Sequence, residues 1–298
     1  MQKYKGELGL FLVSIIWGSG FIASAIGLDY LTPNQTLTGR FLVASVILIL
    51  LNLKNLKEIK KKTLKRGVIL GAVLYVSFIL QTVGLQYTTP SKNAFLTAVN
   101  VAVVPFIGFL FYKKSLNKKD ILRALLSIIG VGAISLEWSG LINLGDVLSF
   151  LCALTFAYHI YLTGEFTEDE NPMVMTMIQM TTAFVLSLVV MVSQGESFMG
   201  HDVRGYAAVV YLGVFSTTIA FLVQTMSQKH TSSNRAAVIM STESLFAMIF
   251  SIIVLKEHVL PRMIIGAIII FTAIILPQGR EEVVSDETDM EIEEEELA

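Results

Sequence analysis

From Leu8 to Ile26 the chain runs 19 residues without a charged side chain. At 1.5 Å per residue a helix of that length crosses the roughly 30 Å hydrocarbon layer of a bilayer. Apolar runs of similar length recur with short polar breaks near residues 33 to 51, 67 to 87, 94 to 112 and 121 to 136, then 144 to 163, 173 to 192, 205 to 226, 236 to 255 and 262 to 278. With 54% hydrophobic and 15% charged side chains in 298 residues, a water-soluble core cannot absorb this much apolar surface. Lipid leaves open backbone groups unsatisfied, and a barrel would show alternating strands of about ten residues, so the runs read as helices. The fold class expected is an all-α membrane protein with ten transmembrane helices, the short fifth run with Arg123 near its start being the weakest of them. Lys3 and Lys5 before an apolar run ending at Ala23-Ser24-Ala25 resemble a signal peptide. The run is nevertheless long enough to span and has a counterpart later in the chain.

Charge gives the expected orientation. Seventeen Lys and Arg fall in segments that are cytoplasmic if the N-terminus is inside, including Lys54, Lys57, Lys60, Lys61, Lys62, Lys65 and Arg66 after the second run. Only Lys92, Arg204, Lys256 and Arg262 fall on the other side, and Arg40 stays within a span. The positive-inside rule then places both termini in the cytoplasm of a multi-pass inner-membrane protein. The basic segment reads as a topology determinant that meets anionic headgroups. The formal net charge of -2 hides an acidic tail that holds ten of the 24 acidic residues between Glu281 and Glu296, read as disordered. A lone cysteine, Cys152, excludes an internal disulfide and a cysteine-rich metal site.

The second half repeats the rhythm of the first. Sliding the chain by 143 residues places Gln81-Thr82 on Gln224-Thr225, Thr88 on Thr231, Lys92 on Arg235, Ala94 on Ala237 and Asn100 on Glu243; sliding by 139 places Pro33 on Pro172 and Arg40 on Gln179. Five helices per copy make the repeat inverted, and inverted repeats set a substrate site near the midplane between them. The expected organisation is one repeat over 1–140, a second over 141–280 and the acidic tail over 281–298. Prolines 33, 90, 172 and 261 stand where helices begin, whereas Pro105 lies mid-run and is expected to kink or open the fourth span.

Trp17-Gly18-Ser19-Gly20-Phe21, Gly39-Arg40-Phe41, Thr88 to Ala94 with Pro105, Ala236 to Phe246 with Ser241-Thr242-Glu243-Ser244, Leu255-Lys256-Glu257 and Gly266-Ala267 together resemble the drug/metabolite transporter superfamily, in particular its EamA-type members. The resemblance covers residues 5 to 278. It implies ten helices around a central cavity lined by spans one, three, four, six, eight and nine, and export of amino acids or related metabolites. Two departures stand out: Lys113-Lys114 where the second half has Lys256-Glu257, and the acidic tail.

On that basis the substrate-cavity residues expected are Trp17, Phe21, Tyr75, Phe78, Gln81, Asn100, Tyr158, Phe221, Gln224 and Glu243. Glu243 lies about eight residues into span nine, where an intramembrane carboxylate can bind an ammonium group or carry a coupling proton, or else rest hydrogen-bonded beside Ser241, Thr242 and Ser244. Its mate Asn100 can hydrogen-bond but not titrate. Arg40 is either an anion contact or a structural arginine capping carbonyls or snorkelling. Gln81 and Gln224 suit a zwitterion or a helix contact, and the aromatic residues suit an apolar solute, lipid or packing. His159 reads as a satisfied interior group. No metal-ligand spacing, nucleophile elbow, phosphate loop or GxGxxG is present. The expectation is therefore a non-enzymatic, cofactor-free exporter whose partners are a small solute and the bilayer, with no role for nucleic acid and the oligomeric state open. A multidrug or organic-cation exporter is the nearest rival. A membrane enzyme would lack clustered catalytic groups, and a scaffold would leave the central polar residues without a task.

Overall fold

A computed structural model describes residues 2–56, 59–135, 143–197 and 202–276, and every regular element among them is helical. In chain order the α-helices are α1 (Gln2–Leu28), α2 (Pro33–Asn52), α3 (Lys61–Leu85), α4 (Pro90–Thr97), α5 (Asn100–Tyr112), α6 (Lys118–Ser135), α7 (Leu144–Thr167), α8 (Pro172–Ser193), α9 (Val203–Tyr211), α10 (Ala220–Gln228), α11 (Ser233–Met240), α12 (Glu243–Phe250) and α13 (Pro261–Ile275). Wider π-helical turns continue α9 into α10 over Leu212–Ile219 and extend α12 over Ser251–Leu255. The acidic tail lies outside the described residues.

Eight helical segments are long and apolar enough to cross a membrane: Tyr4–Leu28, Pro33–Asn52, Lys61–Leu85, Pro90–Tyr112, Leu144–Thr167, Pro172–Ser193, Val203–Gln228 and Ser233–Leu255. Pro261–Ala273 is a shorter apolar helix. The fifth run forms a helix as expected, but α6 opens on Lys118, Lys119 and Asp120. It packs along α13, where a Cβ on Gly130 would stand 2.9 Å from the Gly266 carbonyl oxygen.

Local chemistry places the ends. Pro33, Pro90, Pro172 and Pro261 each occupy a first turn, where a missing N–H costs nothing. Thr32 and Gln35 form a reciprocal capping box on α2, and Thr89, Asn143, Asn171 and Asp202 cap α4, α7, α8 and α9. Lys113 and Lys256, 143 residues apart, both turn left-handed (φ 56° and 57°) to end their helices. Within the spans, the hydroxyls of Ser77, Thr176, Thr182 and Thr225 donate to the carbonyl four residues back, 2.7–2.9 Å away. Lipid offers those hydroxyls no alternative partner.

The two halves interleave. One buried cluster joins Leu10, Phe95 and Val101 to Ala157, Ala236 and Met240, a second joins Leu37, Phe41 and Phe78 to Phe156, Met177 and Phe221, and Trp17 packs against both. Other large apolar side chains face outward, for example Val185, Val189 and Val192 along one edge of α8. Surface of that kind belongs in hydrocarbon rather than water.

Polar contacts at the helix ends fall into two sets. Glu7 with Arg235 (2.6 Å), Lys62 with Asp169 (3.4 Å), Lys114 with Glu165 (2.9 Å) and Lys229 with the Glu170 carbonyl (3.2 Å) form one. Thr32 with Glu196, Thr88 with Asp146 (2.7 Å), Lys92 with Asp146 (3.6 Å) and Ser91 with Glu257 (2.8 Å) form the other. A helix length separates the sets, as Lys62 in the first turn of α3 and Thr88 just past its last turn demonstrate.

Close approach of α3 and α8 depends on Gly71, whose added Cβ would press on the Gln179 carbonyl and lie 2.6 Å from Thr182 Cβ. Helices in lipid associate through such packing rather than through a hydrophobic drive. Gly71→Val is expected to destabilise the fold by about 1–3 kcal/mol, read as a lower thermal midpoint in detergent; an unchanged midpoint would contradict this contact.

Candidate functional site

The fourth and ninth runs are each broken at the same register. The first breaks at Ala98-Val99 between α4 and α5, the second at Ser241-Thr242 between α11 and α12, 143 residues further on. Amide bonds tighten there to the carbonyl three residues back, as in Ala102 N–H to Val99 (2.9 Å) and Leu245 N–H to Thr242 (3.1 Å). The fourth span was expected to kink or open at Pro105; its break falls at Ala98-Val99, Pro105 follows inside α5, and Met248 holds that place in the other half. In α11–α12 the hydroxyls of Ser241, Thr242 and Ser244 donate to the Val238, Ile239 and Ser241 carbonyls at 2.7–2.9 Å. Asn100 and Glu243 each open the second half-helix, next to its positive end.

Both residues line one cavity of about 640 Å³, its opening included. The first half supplies Trp17, Gly20, Phe21, Ser24, Arg40, Phe78, Gln81, Thr82, Leu85, Thr97 and Asn100, and the second Phe156, His159, Ile160, Ser216, Phe221, Gln224, Met240 and Glu243. The offsets of the repeat pair them: Trp17 with Phe156, Gly20 with His159, Phe78 with Phe221, Gln81 with Gln224 and Asn100 with Glu243. Contacts pair as well. Trp17 meets Phe221 at 5.0 Å between ring centroids and its counterpart Phe156 meets Phe78 at 5.3 Å, while Phe78 and Phe221 meet each other at 5.8 Å.

Charge breaks the symmetry. Arg40 is buried in α2, stacked 4.2 Å over Phe78, and donates from Nε to Thr217 Oγ1 (2.9 Å) and from Nη2 to Ser216 Oγ (3.4 Å). The π turns of Leu212–Ile219 present those two hydroxyls together, and the Trp17 indole N–H donates to the Ser216 carbonyl (3.0 Å). At Arg40's position in the other half, Gln179 Oε1 accepts from His159 Nε2–H at 3.0 Å. Glu243 is 6% exposed, and no hydrogen bond or ion pair joins it to Arg40 among the described residues. Gln81 reaches Thr97 Oγ1 (3.4 Å), and Gln224 donates to Gln228 Oε1 (2.9 Å).

The profile of the EamA-like transporter family matches twice, over residues 4–136 and 143–277. The chain belongs to this family. An uncharacterized transporter of Archaeoglobus fulgidus is 33% identical over 276 residues, covering 93% of this chain and 86% of the relative. The uncharacterized transporter YyaM of Bacillus subtilis is 24% identical, covering 89% and 91%. A solved crystal structure shares the fold at a TM-score of 0.68, with 15% identity over 90% of this chain and 94% of its own. Membership makes this EamA-like chain a membrane transporter that handles a small molecule within a bilayer.

Of the residues expected in the cavity, this EamA-like protein brings together Trp17, Phe21, Phe78, Gln81, Asn100, Phe221, Gln224 and Glu243, with Arg40 beside them. Tyr75 and Tyr158 lie elsewhere: Tyr75 packs on the cluster around Phe41 and Phe78, and Tyr158 meets Phe111 at 5.9 Å. Sequence reasoning missed Phe156, Ser24, Thr97 and Ser216 and gave His159 no place in the cavity. The 139-residue offset, which sets Trp17 on Phe156 and Gly20 on His159, is the signal that would have found two of them.

Among the described residues Arg40 has hydroxyl and ring partners but no carboxylate, so replacing it with an apolar side chain of similar length removes a desolvated charge without stranding an opposite one. Arg40→Met is expected to unfold within about 1 kcal/mol of the parent while losing solute-induced thermal stabilisation. A large loss of stability would make Arg40 a structural element only.

Proposed function

We propose that the protein is a secondary exporter of small organic metabolites, amino acids foremost, working by alternating access in the cell membrane. In this reading two inverted five-helix repeats make ten spans, with α6 and α13 as the fifth and tenth, and both termini are cytoplasmic. The two sets of helix-end contacts support the inversion, because Glu7 at the start of α1 and its counterpart Asp146 at the start of α7 belong to opposite sets. The distribution of Lys and Arg supports the orientation.

One observation carries the substrate class: a guanidinium and a carboxylate line the same cavity without pairing. An α-amino acid is the complement of that arrangement. Its carboxylate takes charge-assisted hydrogen bonds from Arg40 and its ammonium group sits at Glu243 with the Asn100 and Gln81 amides near. Its side chain lies among Trp17, Phe78, Phe156 and Phe221. A monovalent organic cation would match Glu243 and the rings but would share the cavity with the Arg40 charge, which disfavours the multidrug reading. Glu243 is also the group suited to carry a coupling proton, a role Asn100 cannot take.

The test is counterflow in proteoliposomes with a mixed pool of amino acids, nucleosides and organic cations. Protein-dependent exchange of amino acids is expected, lowered at least about tenfold in Glu243→Gln, which is the loss of one charge-assisted contact of about 1.4 kcal/mol. Exchange of lipophilic cations in place of amino acids, or wild-type exchange and pH dependence in a folded Glu243→Gln, would overturn this reading.

A further inference from the structure

Two ion pairs outside the cavity are the same interaction made twice. Lys92 pairs with Asp146 at 3.6 Å and Arg235 with Glu7 at 2.6 Å. The 143-residue offset carries Lys92 onto Arg235, and the 139-residue offset carries Glu7 onto Asp146. In each pair the cation is the third residue of the leading half of a broken span, α4 or α11. The carboxylate lies near the start of the repeat's first long helix in the other half, α7 or α1. The pairs belong to opposite sets of helix-end contacts, one on each side of the cavity.

We propose that these pairs are the two gates of the cavity, opened in alternation, an inference that rests on the transport reading and extends it to named residues. Placement is the reason. Each leading half-helix carries a gate cation in its first turn and ends at the break that delivers Asn100 or Glu243 to the cavity. Thr97 and Met240, the last residues of α4 and α11, line the cavity as well, so a tilt of either half-helix about its break moves a cavity residue and an ion pair together. Asn100 and Glu243 stand just past those moving ends.

The two gates are unequal. Lys92 and Asp146 are 10% and 2% exposed, and Asp146 also accepts from Thr88 Oγ1 at 2.7 Å. Arg235 and Glu7 are 46% and 18% exposed. Removing one partner of a buried pair strands a desolvated charge, whereas an exposed pair is screened by water and salt. The Lys92 side is the tighter seal, and the Arg235 side opens first.

Side-specific thiol labelling tests this without any solute. In a Cys152→Ser background, Ser24→Cys reports cavity access to a membrane-impermeant maleimide applied to either face of oriented proteoliposomes. Asp146→Asn is expected to raise labelling from the Lys92 face at least about tenfold, the signature of a buried ion pair broken at one end, and to lower it from the other face. Lys92→Gln, which removes the same pair from its other end, must shift labelling in the same direction. Glu7→Gln is expected to do the reverse by about two- to fivefold. Restoration of the parent pattern by Lys92→Asp combined with Asp146→Lys supports a gate. Folded variants, verified by thermal unfolding, that leave labelling from both faces unchanged would make the pairs static pins and end the proposal. Counterflow that persists with unresponsive labelling removes the gates and keeps the transporter. Alternating labelling without amino-acid counterflow keeps the gates and removes the substrate class.

Discussion

Hydrocarbon accepts no hydrogen bonds, and each polar group in this chain is placed under that constraint. Backbone groups close on themselves in helices, hydroxyls fold back onto carbonyls, and small residues let helices meet where no hydrophobic drive exists between them. What remains is turned toward the line where the two halves interleave. Arg40 is the costliest of these groups, and its surroundings decide the character of the cavity. It is held by Thr217, Ser216 and the face of Phe78, none of them charged. Arg40 and Glu243 line the same space, and no ion pair joins them among the described residues.

Much of the fold was legible because the membrane simplifies it: run length gives helices and prolines give their starts. The face of each helix was less legible, since lipid and protein interior are equally apolar. Tyr75 precedes Phe78 by three residues, which leaves it about 60° around the helix from that ring. The cavity follows 78, 81, 82 and 85 instead. On α7 the cavity stripe is 156, 159 and 160, and Tyr158 stands about 160° from Phe156, on the far side. Neither displacement changes the hydropathy of the span, so no periodicity marked it.

Pro105 is a strong local signal that stands apart from the break in its span. Proline removes one amide and so invites a kink at its own turn. Yet the break precedes it, and the same break appears where Met248 replaces it. The break is a feature common to both halves, and in α11–α12 the hydroxyls of Ser241 and Thr242 fold back onto carbonyls beside it. A single sequence window cannot reveal such a feature; the repeat, read across 143 residues, can.

The repeat also explains how a symmetric frame acquires an asymmetric site. Left-handed ends at Lys113 and Lys256, breaks at 98–99 and 241–242, and matched ring contacts need only similar backbone and volume, and these survive divergence of the two copies. Recognition needs particular charges, and these differ at a few equivalent positions: Arg40 against Gln179, Gly20 against His159, Asn100 against Glu243. The differing residues stand on the shared frame, so the two halves offer the cavity different charges from equivalent backbone positions. In the proposed exporter, alternation requires a closing contact on each side, and the paired ions at Lys92 and Arg235 are placed to supply one apiece.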